Sequence, residues 1–305
     1  MKCAICLTVA ALNLWPQALP ATAAPIIAVL QEEAKFDIAN SVRKGVRLAF
    51  SKQNGDWIPV CSDTDSRDWR PGCSFAADQP TMWQIVLHGR KLGEVKTKSW
   101  LDIGYYSEIG FLKIIGNETL HAGSRTLEFA GWGDQPVYRP LVASNSPLTW
   151  HIRWRLAYPA DVPTAPLLTS VRKLIPMIPG CRKNGDRSGA GRPLVAADIH
   201  VTELWKTSQG ERLFGASLRP ERVKPCDYEF DLVADVWFYD DGKSGLRVLS
   251  TVASGETTHR VIDIGDFAGD GREEAPFRLS GYDEDGFVLL YDGFRKSARF
   301  AWHYH

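Results

Sequence analysis

The stretch "VRLAFSKQNGDWIPVC", residues 46–61, decides the fold. Apolar and polar residues alternate on both sides of Asn54-Gly55, and a period of two lets a strand turn one face to a core and the other outward. Asn-Gly is the pair that accepts positive φ at both central positions of a two-residue hairpin. The same pattern recurs outward along the chain. "MWQIVLHGRKLGEVKT" (82–97) puts Trp83, Ile85 and Leu87 on one face and predicts a turn within "GRKLG" (89–93). "IHVTELWKTSQGERLFGASL" (199–218) predicts a turn at Gln209-Gly210, and "DVWFYDDGKSGLRVLS" (235–250) one at Asp241-Gly242. Connections this tight exclude parallel pairing, which needs long crossovers. The expectation is a mainly β protein of antiparallel hairpins forming a sandwich or partial propeller-like arrangement.

One segment departs from the pattern. "PTAPLLTSVRKLIPMI" (163–178) spaces Leu167, Val171, Leu174 and Ile175 at helical intervals, so an amphipathic helix is expected around 165–177. Pro166 fits its first turn and Pro176 ends or kinks it. A short helix near 38–43 is weakly signalled, and the Gly-rich, basic stretch 179–192 reads as a surface loop. The division expected is an N-terminal β-rich region, 24–150, and a β-rich region with one helix and a C-terminal hairpin, 151–305.

Met1-Lys2, the apolar run 5–14 and the small residues of "ALPATAAP" have the layout of a secretory signal peptide over 1–23, cleaved after Ala23. Cys3 and Cys6 leave with it. Without Lys2 the basic count falls from 36 to 35 against 36 acidic residues, a balance that favours neither nucleic acid nor an anionic membrane as partner. No later apolar run approaches the roughly 18 residues that span a bilayer. The expected location is secreted or periplasmic. Four cysteines remain there: Cys61, Cys73, Cys181 and Cys226. They allow three pairings. Cys61 with Cys73 and Cys181 with Cys226 are favoured, because each pair brackets a loop rich in turn residues. A metal held by all four thiolates is disfavoured by the lack of C-x2-C spacing.

"DFAGDGREE" (266–274) concentrates carboxylates and glycines in one short loop. Its order resembles the D-x-D/N-G-D-G-x-x-D loop of the FG-GAP and VCBS repeats of integrin-like β-propellers, over about 40 C-terminal residues. That resemblance implies a loop joining two strands whose carboxylates coordinate calcium. Carried over, the ligands are Asp266, Asp270 and Glu274, with the Arg272 carbonyl as a fourth oxygen. Ala268 stands where the repeat has Asp or Asn, so one oxygen is missing from a set that should reach six to eight. An EF-hand is excluded, since Phe277 occupies the place of its bidentate Glu. The competing reading is a plain turn whose Asp side chains cap their own amides. "FAGWGDQPVYRPLV" (129–142), "GERLFGASLRPER" (210–222) and the segment 280–305 resemble parts of an uncharacterised family of bacterial secreted proteins, which implies no known activity.

Other chemistry-bearing residues are weaker signals. "GYDEDG" (281–286) reads as a solvated hairpin tip that could lend Asp283 or Asp285 to the same ion. His303 and His305 share a strand face but have no third ligand marked. His88, His121, His151, His200 and His259 read as ordinary histidines. Trp132, Tyr138, Tyr105 and Tyr106 lie near turns, where rings serve either core or binding. No G-x-S-x-G, catalytic-cysteine or phosphate-loop motif occurs, and no catalytic residue is marked. The leading expectation is therefore a binding or scaffold protein with a protein or glycan partner. The alternative is an extracellular hydrolase using acids among Asp266, Asp270, Glu273, Glu274, Asp283 and Asp285, which requires them to converge in a concave pocket.

Overall fold

The computed structural model describes residues 24–34, 42–61, 73–76, 78–100, 110–116, 125–126, 137–148, 153–181, 187–218, 233–253, 257–281 and 284–303. Among them the chain is mainly β, with antiparallel sheets and one α-helix, as the alternation predicts. β1 (Ile26–Ala34), β2 (Val42–Gln53), β3 (Asp56–Pro59), β4 (Thr81–Leu87), β5 (Arg90–Trp100) and β6 (Phe111–Ile114) come first. β7 (Arg125–Thr126) and β8 (Val137–Tyr138) pair as a short ribbon, and β9 (Leu141–Ser144) returns to the first sheet. The order β1-β9-β4-β5-β6-β2 closes on itself, because β1 also pairs with β2 along its whole length, and β3 extends the free part of β2. The result is a six-stranded barrel, an arrangement that removes unpaired edges.

The Asn54-Gly55 hairpin forms as expected, with φ of 52° and 89°. The second hairpin turns earlier than expected, at His88-Gly89, with φ of 51° and 65°. Gly93 is a strand residue opposite Ile85, beside a bulge between Ile85 and Val86. The glycine that read as a turn boundary thus accommodates the bulge instead. Inside the barrel the buried Trp83 indole donates to Thr97 Oγ1 at 2.8 Å, which satisfies a polar atom that would otherwise be stranded. The expected Cys61–Cys73 disulfide is present and ties the end of the β2–β3 hairpin to residue 73. Cys226 lies outside the described residues, and Cys181 ends the strand β11.

The rest of the chain stacks on the barrel. β10 (Trp154–Leu156), α1 (Thr164–Leu174), β11 (Met177–Cys181), β12 (Arg187–Pro193), β13 (Ile199–Thr207), β14 (Arg212–Leu218), β15 (Val233–Asp240) and β16 (Leu246–Ala253) follow in order. β10-β13-β14-β15-β16 form a five-stranded sheet, and β17 (Thr257–Val261), β18 (Ala275–Gly281), β19 (Glu284–Tyr291) and β20 (Lys296–His303) a four-stranded one. The four-stranded sheet is the middle layer. One face sends Phe287, Leu289, Phe300 and Trp302 into the barrel's core cluster. Its other face packs Phe277, Ala275 and Leu290 against Trp205, Leu213 and Trp237 of the five-stranded sheet, as in a sandwich. Burial on both faces explains why "FVLLY" (287–291) is a continuous apolar run, since alternation survives only where one face meets water. The outer face of the five-stranded sheet carries Leu204, Phe214, Val236 and Phe238 against Leu167 and Val171 of α1.

The helix is shorter than expected. It stops at Leu174, because Pro176 bars Ile175 from helical geometry, and Ile175 has φ −133° and ψ 89°. Leu174 is consequently exposed rather than part of the apolar stripe. The stretch 179–192, expected as a surface loop, instead supplies much of the β11–β12 ribbon. Its glycines carry no side-chain signature, and the backbone pairing alone makes the strands. Arg192 forks onto the buried Asp198 at 2.5 and 2.7 Å and so anchors the ribbon's end. Of the short helix near 38–43, Val42 and Arg43 open β2 and the remainder lies outside the described residues. Among the described residues no helix is long and apolar enough to cross a membrane.

Candidate functional site

The acidic segment lies where the three layers meet. Gly265 and Glu274 exchange two backbone hydrogen bonds, of 3.0 and 2.8 Å, that close the loop at its base. Phe267 is buried in the barrel-side core, and its carbonyl accepts from Ser144 Oγ of β9 at 2.8 Å. Ala268 packs against the same core. The position that departs from the calcium-binding pattern is thus an apolar contact.

Each carboxylate has a partner within the fold. Asp266 accepts the Asp270 and Gly271 amides at 3.0 and 2.7 Å, as an Asp in a self-capped turn does. Asp270 accepts the Arg272 amide at 3.2 Å and the Lys52 ammonium at 2.6 Å. Glu274, fully buried, accepts the Phe267 amide at 2.9 Å and the Trp57 indole N–H at 3.3 Å, with Lys52 at 3.8 Å. Glu273 pairs with Arg153 at 2.8 Å, and Arg153 also meets Glu211 of the five-stranded sheet's β13–β14 turn. Burial pushes the Glu274 carboxyl up to about 8, with Asp270 and Asp266 adding to the rise and Phe267 N–H and Lys52 opposing it.

The resemblance assigns calcium ligands to Asp266, Asp270, Glu274 and the Arg272 carbonyl. The Lys52 ammonium stands 2.6 Å from Asp270 Oδ2 and 3.8 Å from Glu274 Oε1, while Asp266 faces the Asp270 and Gly271 amides. Among the described residues no three His, Cys, Asp or Glu side chains gather closely enough to hold a metal. Asp285 is not at a solvated tip: it lies in β19, buried, with its carboxylate 2.7 Å from Arg278. Asp283 and His305 lie outside the described residues, as do Trp132, Tyr105, Tyr106, His121 and His151; of Tyr138 and His303 only the strand position is described.

The glycines of the loop are not equivalent. Gly269 has φ 74°, and a Cβ there would stand 2.7 Å from the Pro147 carbonyl oxygen; Gly271 has φ 81° with nothing within 4 Å. Gly269→Ala should therefore destabilise by about 3 kcal/mol and Gly271→Ala by about 1 kcal/mol, a contrast that chemical denaturation of the two variants measures directly.

Sequence reasoning missed three sets of residues. Lys52 of β2, Trp57 of β3 and Arg153, just before β10, complete the loop's contacts from distant parts of the chain. Asp263 is fully buried beside the His88-Gly89 turn and accepts the Gly89 amide at 3.2 Å and the Ile264 amide at 2.8 Å. Burial pushes its carboxyl up to about 7 against those donors and Arg139. Its only signal was a lone acid between Ile262 and Ile264. Ser250 and His259 meet at 2.7 Å through Nδ1, but burial, then Arg299 and Arg260, push the imidazole down to about 4. A ring so weakly basic is a poor general base at neutral pH. The fold and its site define a barrel joined to a two-sheet sandwich through an acidic junction. No protein-family model, curated protein or solved structure matches this chain.

Proposed function

We propose that this protein is a secreted or periplasmic β-rich binding or scaffold protein whose acidic segment braces the junction between barrel and sheets. The observation that supports this reading is the direction of the carboxylates. Glu274 and Asp270 hold the β2–β3 hairpin through Trp57 and Lys52, Glu273 holds the five-stranded sheet through Arg153, and Asp266 holds the loop itself. The Cys61–Cys73 disulfide supports an oxidising compartment, and the FG-GAP and VCBS resemblance of the loop fits an extracytoplasmic setting. The partner belongs to the protein or glycan class.

Thermal melting of the purified protein with calcium and with chelator tests the brace. With Lys52 in the cation's place, the midpoint stays the same in both. A calcium loop built from Asp266, Asp270, the Arg272 carbonyl and Glu274 would instead add about 2.7 kcal/mol at a hundredfold excess over Kd, a rise of about 5 to 10 °C, and would overturn this role for Lys52.

A further inference from the structure

We infer that the cavity between the 241–245 and 292–295 turns binds a small hydroxylated oxyanion, a sugar acid or a sugar phosphate. The cavity is separate from the acidic segment. It measures about 460 Å³ and is lined by Tyr239, Asp241, Ser244, Arg247, Asp292 and Arg295, among others, a volume within the range small-ligand sites use.

Its cationic wall is built before any ligand arrives. Arg247 donates from Nη1 to the Phe294 carbonyl at 2.6 Å and from Nη2 to the Gly293 carbonyl at 2.7 Å, and lies over the Tyr239 ring at 5.1 Å. Those carbonyls are aimed by an unusual turn. Asp292, Gly293 and Phe294 have φ of 54°, 65° and 60° in succession, a conformation that side-chain-bearing residues resist. The buried Phe294 ring holds it in place, edge-on to Trp154 at 5.7 Å and to Tyr239 at 5.4 Å. Strain maintained by packing is a mark of functional sites.

The clamp leaves the Nε–H edge of Arg247 uncommitted among the described residues. Its partners are neutral carbonyls, so its charge meets no carboxylate in ion-pair range among those residues. Burial depresses the Arg247 pKa; Tyr239 and Asp241 oppose that shift, and Arg295, exposed and without an ion pair among those residues, adds to it. Two guanidinium groups facing one cavity repel each other until an oxyanion bridges them, and guanidinium forks suit planar and tetrahedral oxyanions.

The opposite wall sets the second requirement. Asp241 accepts the Lys243 amide at 2.8 Å, the Ser244 amide at 2.6 Å and the Ser244 hydroxyl at 2.8 Å, so its hydrogen-bonding capacity is taken up by its own turn while its charge favours the Arg247 cation. The Tyr239 hydroxyl is likewise occupied, donating to Glu211 at 2.7 Å. The Asp292 carboxylate makes no hydrogen bond among the described residues and remains an acceptor. It repels a second anionic group and receives a hydroxyl, which favours a polyol bearing one oxyanion over a polyanion.

Isothermal titration calorimetry of the whole protein at low ionic strength, with D-glucuronate, glucose 6-phosphate and glucose, tests the inference. At least one anion should bind with Kd of about 1 mM or tighter, and glucose should not. Arg295→Gln should weaken that binding about tenfold or more while leaving the thermal midpoint unchanged, because the exposed side chain supports nothing else. Glucuronate alone would identify a carboxylate site and glucose 6-phosphate alone a phosphate site. No binding of either anion, equal binding of glucose, or binding that Arg295→Gln leaves intact would overturn it.

Discussion

Glu274→Ala is expected to lower the thermal midpoint by about 8 °C. The substitution removes the acceptor of two buried donors, Trp57 Nε1–H and Phe267 N–H, and opens a void beside a side chain that is 2% exposed, Trp57. An unsatisfied buried donor costs about 1 to 3 kcal/mol, so a total near 3 kcal/mol is a conservative figure, and for a chain of this size that is about 8 °C. Lys52→Met should cost only about 1 kcal/mol, since its nearest partner, Asp270, is 40% exposed and solvent screens the pair. The pair of melts separates a buried hub from a surface ion pair. Equal effects would mean that Lys52, and not the Trp57 and Phe267 donors, carries the junction. Combining Glu274→Ala with Trp57→Phe should be less than additive, because Trp57 then has no donor left to strand.

What made the hairpins legible is that their information is local. Asn54-Gly55 fixes its own turn, and the alternation on either side fixes which residues face inward. The closure of the barrel is not local: β1 pairs with β9 from Ile27↔Ser144 to Leu30↔Leu141, and nothing in either short apolar strand names its partner. The layering was hidden for a related reason. A strand buried on both faces, such as β19, shows that it is inside but not between which neighbours. At the candidate site the composition of the loop was legible and its orientation was not. An acid-rich turn has the same residues whether it faces a cation in solvent or an ammonium supplied by the chain, and Lys52 stands 218 positions from Asp270. Gly286 made Asp285 look like part of a turn, yet β19 already begins at Glu284 and the Arg278 pair draws the carboxylate inward.

Stability should fall as pH rises from about 4 to about 8, the reverse of what carboxylates in surface ion pairs produce. Asp263 and Glu274 have folded-state pKa values of about 7 and about 8, raised in each case chiefly by burial. In the unfolded chain both acids titrate near their ordinary values, about 4. Between those limits the folded state holds more protons than the unfolded one, so stability is complete below the unfolded pKa and is withdrawn as pH climbs through the folded pKa. With a tenfold change worth about 1.4 kcal/mol, each acid withdraws on the order of 4 kcal/mol over its window, against a total stability of about 5 to 15 kcal/mol for a typical domain. His88 and His259 act in the opposite sense. Their folded pKa values are lowered, first by burial and then by neighbouring arginines, so their share of stability is lost as pH falls below about 6.5. They offset part of the acids' slope on that side and none of it above. The steepest net loss should therefore lie between about pH 6.5 and pH 8, measurable as a falling denaturation midpoint in a pH series. Asp263→Asn, which keeps one oxygen for the Gly89 and Ile264 amides and cannot ionise, should flatten that slope by about half. A stability curve that rises through the same interval would show that both carboxylates are ionised in the folded state, with Lys52 and Arg139 as their counterions.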